Sequence, residues 1–139
     1  MVEQPPFDPP ETFNIADYFL GDRIREGRGG RVALRIGQRR LTYREVERLA
    51  SRFGRVLRKR GVRPDDRVMI ALPDGAEFVA ALFGTLKLGA VAVMVNPAFQ
   101  RGDVASLLAY TRCRSIVVDD SRAEVFRDAA EEAGGAEEY

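Results

Sequence analysis

The sequence predicts an α/β fold built of parallel βαβ layers, and three observations carry that reading. Val68–Leu72 and Ala90–Val95 are short runs without a polar residue. Strands lacking polar/apolar alternation belong inside parallel sheets covered on both faces. The segment between them, Gly75–Leu88, is apolar nearly all round as a helix, so it must be covered on most sides. The alternation of strand and helix then continues to Gly134-Gly135, and parallel strands demand such crossover connections.

Residues 1–12 read as an extended arm. Pro5, Pro6, Pro9 and Pro10 exclude helix there, and little can be buried. A helix follows Asn14, its expected cap, with Asp17 in the first turn and Ile15, Phe19 and Ile24 facing inward. EGRGGR at Glu26–Arg31 ends it. This glycine run is no phosphate loop. Such a loop follows a strand, opens a helix and carries Lys-Ser or Lys-Thr, whereas this run leaves a helix and enters a strand. Val32–Ile36 alternates as a strand, Gly37-Gln38 suits a two-residue hairpin turn, and Arg39–Leu41 is the partner strand.

The next helix is fully punctuated. Thr42 and Glu45 make a capping box, and Leu41 and Val46 stand at the two positions of a hydrophobic staple. Val46, Leu49, Ala50, Phe53 and Leu57 form the inner stripe, and Gly61 with Pro64 marks the stop. Val68–Leu72 follows as a strand. Asp74 is the expected cap of Gly75–Leu88, Glu77 lies in its first turn, and Gly84 would let a neighbouring element approach closely. Gly89 ends the helix before Ala90–Val95. Arg101–Thr111 reads as a helix with Val104, Leu107 and Leu108 inward, and Ser115–Val118 as a short strand. Ser121 and Glu124 match a second capping box opening a helix through Val125, Phe126 and Ala129. The whole is a Rossmann-like, three-layer arrangement with an N-terminal helix and a small hairpin. Its α/β body spans residues 13–134, and residues 135–139 are a tail.

Composition narrows the chemistry. A chain that is 45% hydrophobic and 31% charged is an ordinary soluble globular protein. A net charge of +1 argues against a nucleic-acid binder, and Arg44, Arg48, Arg52 and Arg55 read as a solvated helix face. No histidine occurs, which removes Ser-His and Cys-His catalysis and histidine metal sites. A single cysteine, Cys113, reads as a small buried hydrophobe, excludes an internal disulfide and fits a reducing, cytoplasmic setting. The apolar stretch is interrupted by Thr85, Lys87 and Gly89, so no membrane span is expected.

In open α/β sheets, ligands bind outside the carboxyl ends of the strands. Three loops qualify: Pro73–Gly75, Asn96–Arg101 (NPAFQR) and Asp119–Ser121. None is a catalytic set, and none offers a metal site. Asp119 and Asp120 are loop neighbours and do not converge on one reacting atom. Nor does VVDDS open a receiver domain. It sits too near the end for later strands to deliver a phosphoacceptor aspartate and a lysine.

The phrases LTYREVERLASRFGRVLRKRGVRPDDRV, ALPDGAEFVAALFGTLKLGAV and VMVNPAF resemble the N-terminal part of the adenylate-forming acyl- and aryl-CoA ligases, in particular the benzoate-CoA ligase branch. FNIADYFL strengthens the match, which spans about residues 12–134. The resemblance implies part of the large N-terminal domain of an enzyme that activates a carboxylic acid with ATP and magnesium, releases pyrophosphate and transfers the acyl group to CoA. It also implies that the phosphate loop, the nucleotide contacts, the acid pocket and the catalytic lysine lie later in such enzymes. No catalytic residue is therefore assigned, and the chain itself holds no cofactor. One position carries over: the basic loop after Asn96-Pro97 lies near the CoA nucleotide in relatives, which makes Arg101 the candidate CoA-binding residue of the intact enzyme. An arginine suits a phosphate because its fork donates two hydrogen bonds.

Two functional readings follow. In the first the chain is the N-terminal segment of an acyl/aryl-CoA ligase, its partner is the rest of that ligase, and it is inactive alone. In the second it is a self-standing α/β binding or scaffold protein derived from that fold. Without later chain, an unpaired sheet edge and the apolar helix Gly75–Leu88 are expected to drive self-association into a dimer.

Overall fold

The computed structural model describes residues 8–134. Expectations for residues 1–7 of the arm and for the 135–139 tail fall outside the described residues; residues 8–12 are exposed and carry no helix or strand.

The N-terminal helical stretch covers residues 15–28 and is wound largely as π-helix, over Asp17–Gly21 and Ile24–Arg28. Asn14 starts it: its Oδ1 accepts the Asp17 amide at 3.1 Å, and its Nδ2 donates to Leu86 O at 2.7 Å. The inward face differs from the expected one. Ile15 and Phe19 are 44% and 52% exposed, while Ala16 and Leu20 are buried. The buried side is offset by one residue: Ala16 and Leu20 face inward, Leu20 against Leu41, Val46 and Ala50, and Ile24 is half-buried. Gly27, at φ 79°, breaks the stretch before the glycine turn.

Strands β1 (Val32–Ile36) and β2 (Arg39–Thr42) form the antiparallel hairpin, with Gly37 at φ 56° in its turn. Helix α1 (Tyr43–Lys59) opens with both halves of the capping box. Thr42 Oγ1 accepts the Glu45 amide at 3.3 Å, and Glu45 Oε2 accepts the Thr42 amide at 2.7 Å and its hydroxyl at 2.8 Å. Leu41 and Val46 are buried in one cluster, as a staple requires. Thr42→Ala is expected to destabilise the fold by about 1 kcal/mol. The Glu45 carboxyl is held below its ordinary range, first by the Thr42 amide and then by the Thr42 hydroxyl. A depressed folded-state value means this contribution is present above the unfolded carboxylate range and lost as pH falls through the folded value. The wild-type advantage over Thr42→Ala should therefore narrow in acid, read as urea midpoints at neutral and low pH.

Strand β3 (Arg67–Ala71), helix α2 (Ala76–Lys87), strand β4 (Val91–Met94), helix α3 (Arg101–Thr111), strand β5 (Ser115–Val118) and helix α4 (Ala123–Glu132) complete the chain. Among the described residues the second sheet has the order β4-β3-β5, all parallel. β3 is central, and its alternate residues build two cores. Val68 and Ile70 pack with Leu57 of α1 and Ala81 of α2. Met69 and Ala71 pack with Val104 and Leu108 of α3 and Phe126 of α4. Two helices on each face of one parallel sheet make the expected three layers.

Three expectations are corrected. Only β3 is fully covered: β4 is an edge strand, with Val91 44% and Met94 58% exposed. Asp74 does not cap α2. Its N-cap is Gly75, with no side-chain bond, and Glu77 is the acid of the first turn. Ser121 and Glu124 do not form a capping box either. A short 3₁₀ turn, Asp120–Arg122, intervenes, and the Ser121 hydroxyl donates to Asp119 instead.

The apolar helix α2 is well covered. Its Gly84 meets Gly54 of α1 at a backbone-to-backbone crossing. Buried Thr85 satisfies its hydroxyl on Ala81 O at 2.8 Å. Among the described residues, the exposed large apolar side chains lie elsewhere, so α2 is not the apolar patch that was expected.

Candidate functional site

The carboxyl ends of β3, β4 and β5 lead into three loops, and two of them are tied together. After β4, Asn96 Oδ1 accepts the Ala98 amide at 2.9 Å and Asn96 O accepts the Phe99 amide at 3.1 Å, which curls NPAFQR into a turn. Phe99 packs on the α3/α4 core. After β5, the Arg122 guanidinium reaches across. Its Nε donates to Pro97 O at 2.9 Å and its Nη2 to Phe99 O at 2.7 Å. A planar fork with fixed donors suits this two-carbonyl grip. The third loop, Pro73–Gly75, leaves Asp74 exposed.

Asp119 serves its own turn. Its Oδ1 accepts the Ser121 amide at 2.9 Å and hydroxyl at 2.6 Å. The hydroxyl bond and then the amide bond hold its carboxyl below the ordinary range. Asp120 instead lines a groove along β5. The two aspartates thus act apart, as their adjacency on a loop implied.

Arg101 opens α3 and is exposed. Its Nε lies 2.9 Å from Glu132 Oε2 of α4, in a pair open to solvent on both sides. Exposed pairs of this kind are worth little, so Glu132 holds Arg101 only weakly. Cys113 is buried, its Sγ 3.1 Å from Thr111 Oγ1, and burial pushes its thiol up. That makes it a packed side chain rather than a nucleophile.

Among the described residues, no group of three or more Cys, Asp or Glu side chains could hold a metal ion. The Glu26–Arg31 run is a helix-to-strand turn: Gly29 is buried against the Arg44 guanidinium, and its carbonyl accepts the Arg44 amide at 3.1 Å. On α1, Arg48, Arg52 and Arg55 line a shallow groove with Arg39, and Glu45 and Glu47 line it too. Among the described residues, no helix is long and apolar enough to cross a membrane.

The profile of the AMP-binding enzyme family matches residues 22–138. This chain belongs to that family. It is 35% identical over 132 residues to a 3-hydroxybenzoate–CoA/4-hydroxybenzoate–CoA ligase of Thauera aromatica, covering 95% of this chain and 25% of that protein. Among solved structures, a benzoate CoA ligase from Burkholderia xenovorans LB400 superposes with a TM-score of 0.79 at 30% identity, over 88% of this chain and 25% of the other. An anthranilate CoA ligase in complex with anthranoyl-AMP reaches a TM-score of 0.83 at 28% identity, over 92% and 24%. The chain therefore spans about a quarter of the length of these relatives. Its fold is part of the N-terminal domain of adenylate-forming enzymes.

Geometry adds one residue that sequence reading passed over. Arg122 sits 23 and 25 positions from the carbonyls it binds, and a lone arginine after DDS gives no local signal of that grip.

Proposed function

We propose that this chain is the N-terminal segment of an ATP-dependent aryl-CoA ligase. Such a ligase joins a carboxylic acid to CoA through an acyl-adenylate, with release of AMP and pyrophosphate. Residues 1–139 are its scaffold and are silent alone. The observation that carries this reading is the match of nearly the whole chain to a quarter of a hydroxybenzoate ligase, in a sheet whose three ligand-side loops hold no catalytic set. Benzoate-like acids are the substrate class its relatives' names favour. Its partner is the rest of the ligase, which supplies the ATP and magnesium sites. Arg101 supplies a phosphate contact for CoA, and the single cysteine suits a cytoplasmic enzyme.

Grafting tests this. The matching stretch of the Thauera aromatica ligase is replaced by this chain, and ATP–pyrophosphate exchange is followed with benzoate and its hydroxy derivatives. The graft should exchange, and purified residues 1–139 should not. Exchange by the isolated chain contradicts its silence, and a cooperatively folded but inactive graft contradicts the scaffold role. Arg101→Ala in the graft should raise the KM for CoA and leave the CoA-independent exchange unchanged. An unaltered KM removes Arg101 from the CoA site.

A further inference from the structure

The outer face of α1 carries charge that the fold does not balance. Arg48, Arg52 and Arg55 stand four and three residues apart and so share one side of the helix. The hairpin brings Arg39 of β2 to the same place, and all four arginines line one shallow groove of about 620 Å³. Arg44, which belongs to the same stripe in sequence, turns away, its guanidinium lying against Gly29. Two carboxylates also line the groove, and the protein itself engages both. Glu45 accepts the Thr42 amide and hydroxyl, and Glu47 accepts Lys87 Nζ and the Ser51 hydroxyl. Beyond the Thr42 amide and hydroxyl, the charges of Arg48 and Arg39 also draw the Glu45 carboxyl down, so these two arginines converge from separate elements. Among the described residues, none of the four guanidinium groups of the groove forms a salt bridge. Like charges at these helical spacings repel, and their crowding at one groove calls for an anion.

We propose that this groove binds an oligophosphate, a chain of linked phosphates laid along α1. Three of its guanidinium groups spread over about 10 Å of helix, and Arg39 adds a fourth from the hairpin. Each can fork onto phosphate oxygens through two parallel N–H donors. A lone carboxylate or orthophosphate is too small to meet all four at once. A nucleic acid needs a longer basic track than one helix face, and a net charge of +1 does not supply it. The groove does not owe its openness to where the chain stops. Burying unpaired guanidinium groups beneath later chain is heavily penalised, so in a longer protein this face still meets water or an anion. The groove shares no residue with the three loops at the carboxyl ends of the strands, and the inference does not rest on the ligase reading.

Isothermal titration with inorganic tripolyphosphate, in magnesium-free buffer at low ionic strength, tests it on residues 1–139 and on the grafted ligase. Residues 1–139 should bind one tripolyphosphate, and orthophosphate far more weakly. Arg39→Gln and Arg52→Gln should each weaken binding by ~5-fold, the upper range for one exposed charge contact. Arg58→Gln, at an exposed position of α1 outside the groove, should leave binding unchanged. Circular dichroism melts of the three variants should match that of the parent. In the graft the Arg52-dependent binding should persist, whether or not the graft is active. Absence of binding overturns the proposal, as does a loss of equal size in Arg58→Gln. So does a site present in residues 1–139 and missing from the folded graft, where later chain would have taken the face. A single-stranded oligonucleotide that binds as tightly as tripolyphosphate overturns the oligophosphate as its ligand.

Discussion

Gly84→Val is expected to destabilise the fold by about 3 kcal/mol, a large part of the roughly 5–15 kcal/mol that holds a domain together. The cause is the crossing of α1 and α2. A Cβ on Gly84 would stand 2.8 Å from Ala50 O, 3.0 Å from Gly54 N and 3.0 Å from Phe53 Cβ. Two of those three neighbours are backbone, so no rotamer change can clear them. A Cβ on Gly54 would in turn lie 3.0 Å from Gly84 O. Adding volume at either glycine pushes the helices apart along a layer in which Leu57, Ala81 and Ile70 are closely packed. A urea midpoint and a thermal melt read the loss, with a fall of about 10 °C for a chain of this size. Gly102→Ala is the control of opposite sign. Gly102 lies in the first turn of α3, and a Cβ there meets nothing within 4 Å. Losing a helical glycine should stabilise the chain by about 0.5 kcal/mol. If both substitutions shift the midpoint alike, the close crossing is not what Gly84 provides.

The same pair of glycines marks the limit of what the sequence discloses. Gly84 stands out because it sits among Leu82, Phe83 and Leu86 in a mostly apolar helix, so its missing side chain signals a close neighbour. Gly54 sits among arginines on a strongly amphipathic helix, where a glycine reads only as a weak helix former. Element types were legible throughout, because each rests on a local pattern: the apolar runs of β3 and β4, Gly61 and Gly89 in left-handed conformation, and the Thr42–Glu45 box. The caps at Asp74 and Ser121 failed for a common reason. Each helix starts one residue past its candidate cap, with Gly75 and Arg122 at the N-cap positions, and neither start takes a side-chain hydrogen bond. Burial phase failed at Ile15 and Phe19 because Ala16 and Leu20 offer the same spacing of four, and packing of Leu20 against Leu41, Val46 and Ala50 decided between the two pairs. The exposed side of β4 was hidden for another reason. Strand order, not composition, decides which apolar strand becomes an edge, and the path from β4 past β3 to β5 is a tertiary fact. The candidate site divides in the same way. Its loops were legible from the strand ends. The pairing of Arg101 with Glu132 and the grip of Arg122 on NPAFQR join residues from separate elements and leave no local trace.

That grip sets the second large effect. Arg122→Ala should cost about 2 kcal/mol, since hydrogen bonds from a charged donor contribute more than neutral ones. It removes both donors from Pro97 O and Phe99 O. The turn keeps its own bonds at Asn96, so the loop should loosen rather than unfold. Hydrogen exchange separates the two outcomes. The Ala98 and Phe99 amides, held on Asn96, should exchange faster in Arg122→Ala, while those of central β3 should change only as global stability does. Arg122→Lys should rescue little, because an ammonium is a point donor and cannot span two carbonyls as a planar fork does. In the grafted ligase the same variant should raise the KM for CoA through the displaced start of α3, with the acid- and ATP-dependent exchange preserved. Unchanged amide exchange at Ala98 and Phe99 would remove Arg122 as the positioning residue of this loop. Faster exchange with an unaltered KM for CoA would keep the grip and detach it from CoA, so the two readouts test the structure and the proposed chemistry separately.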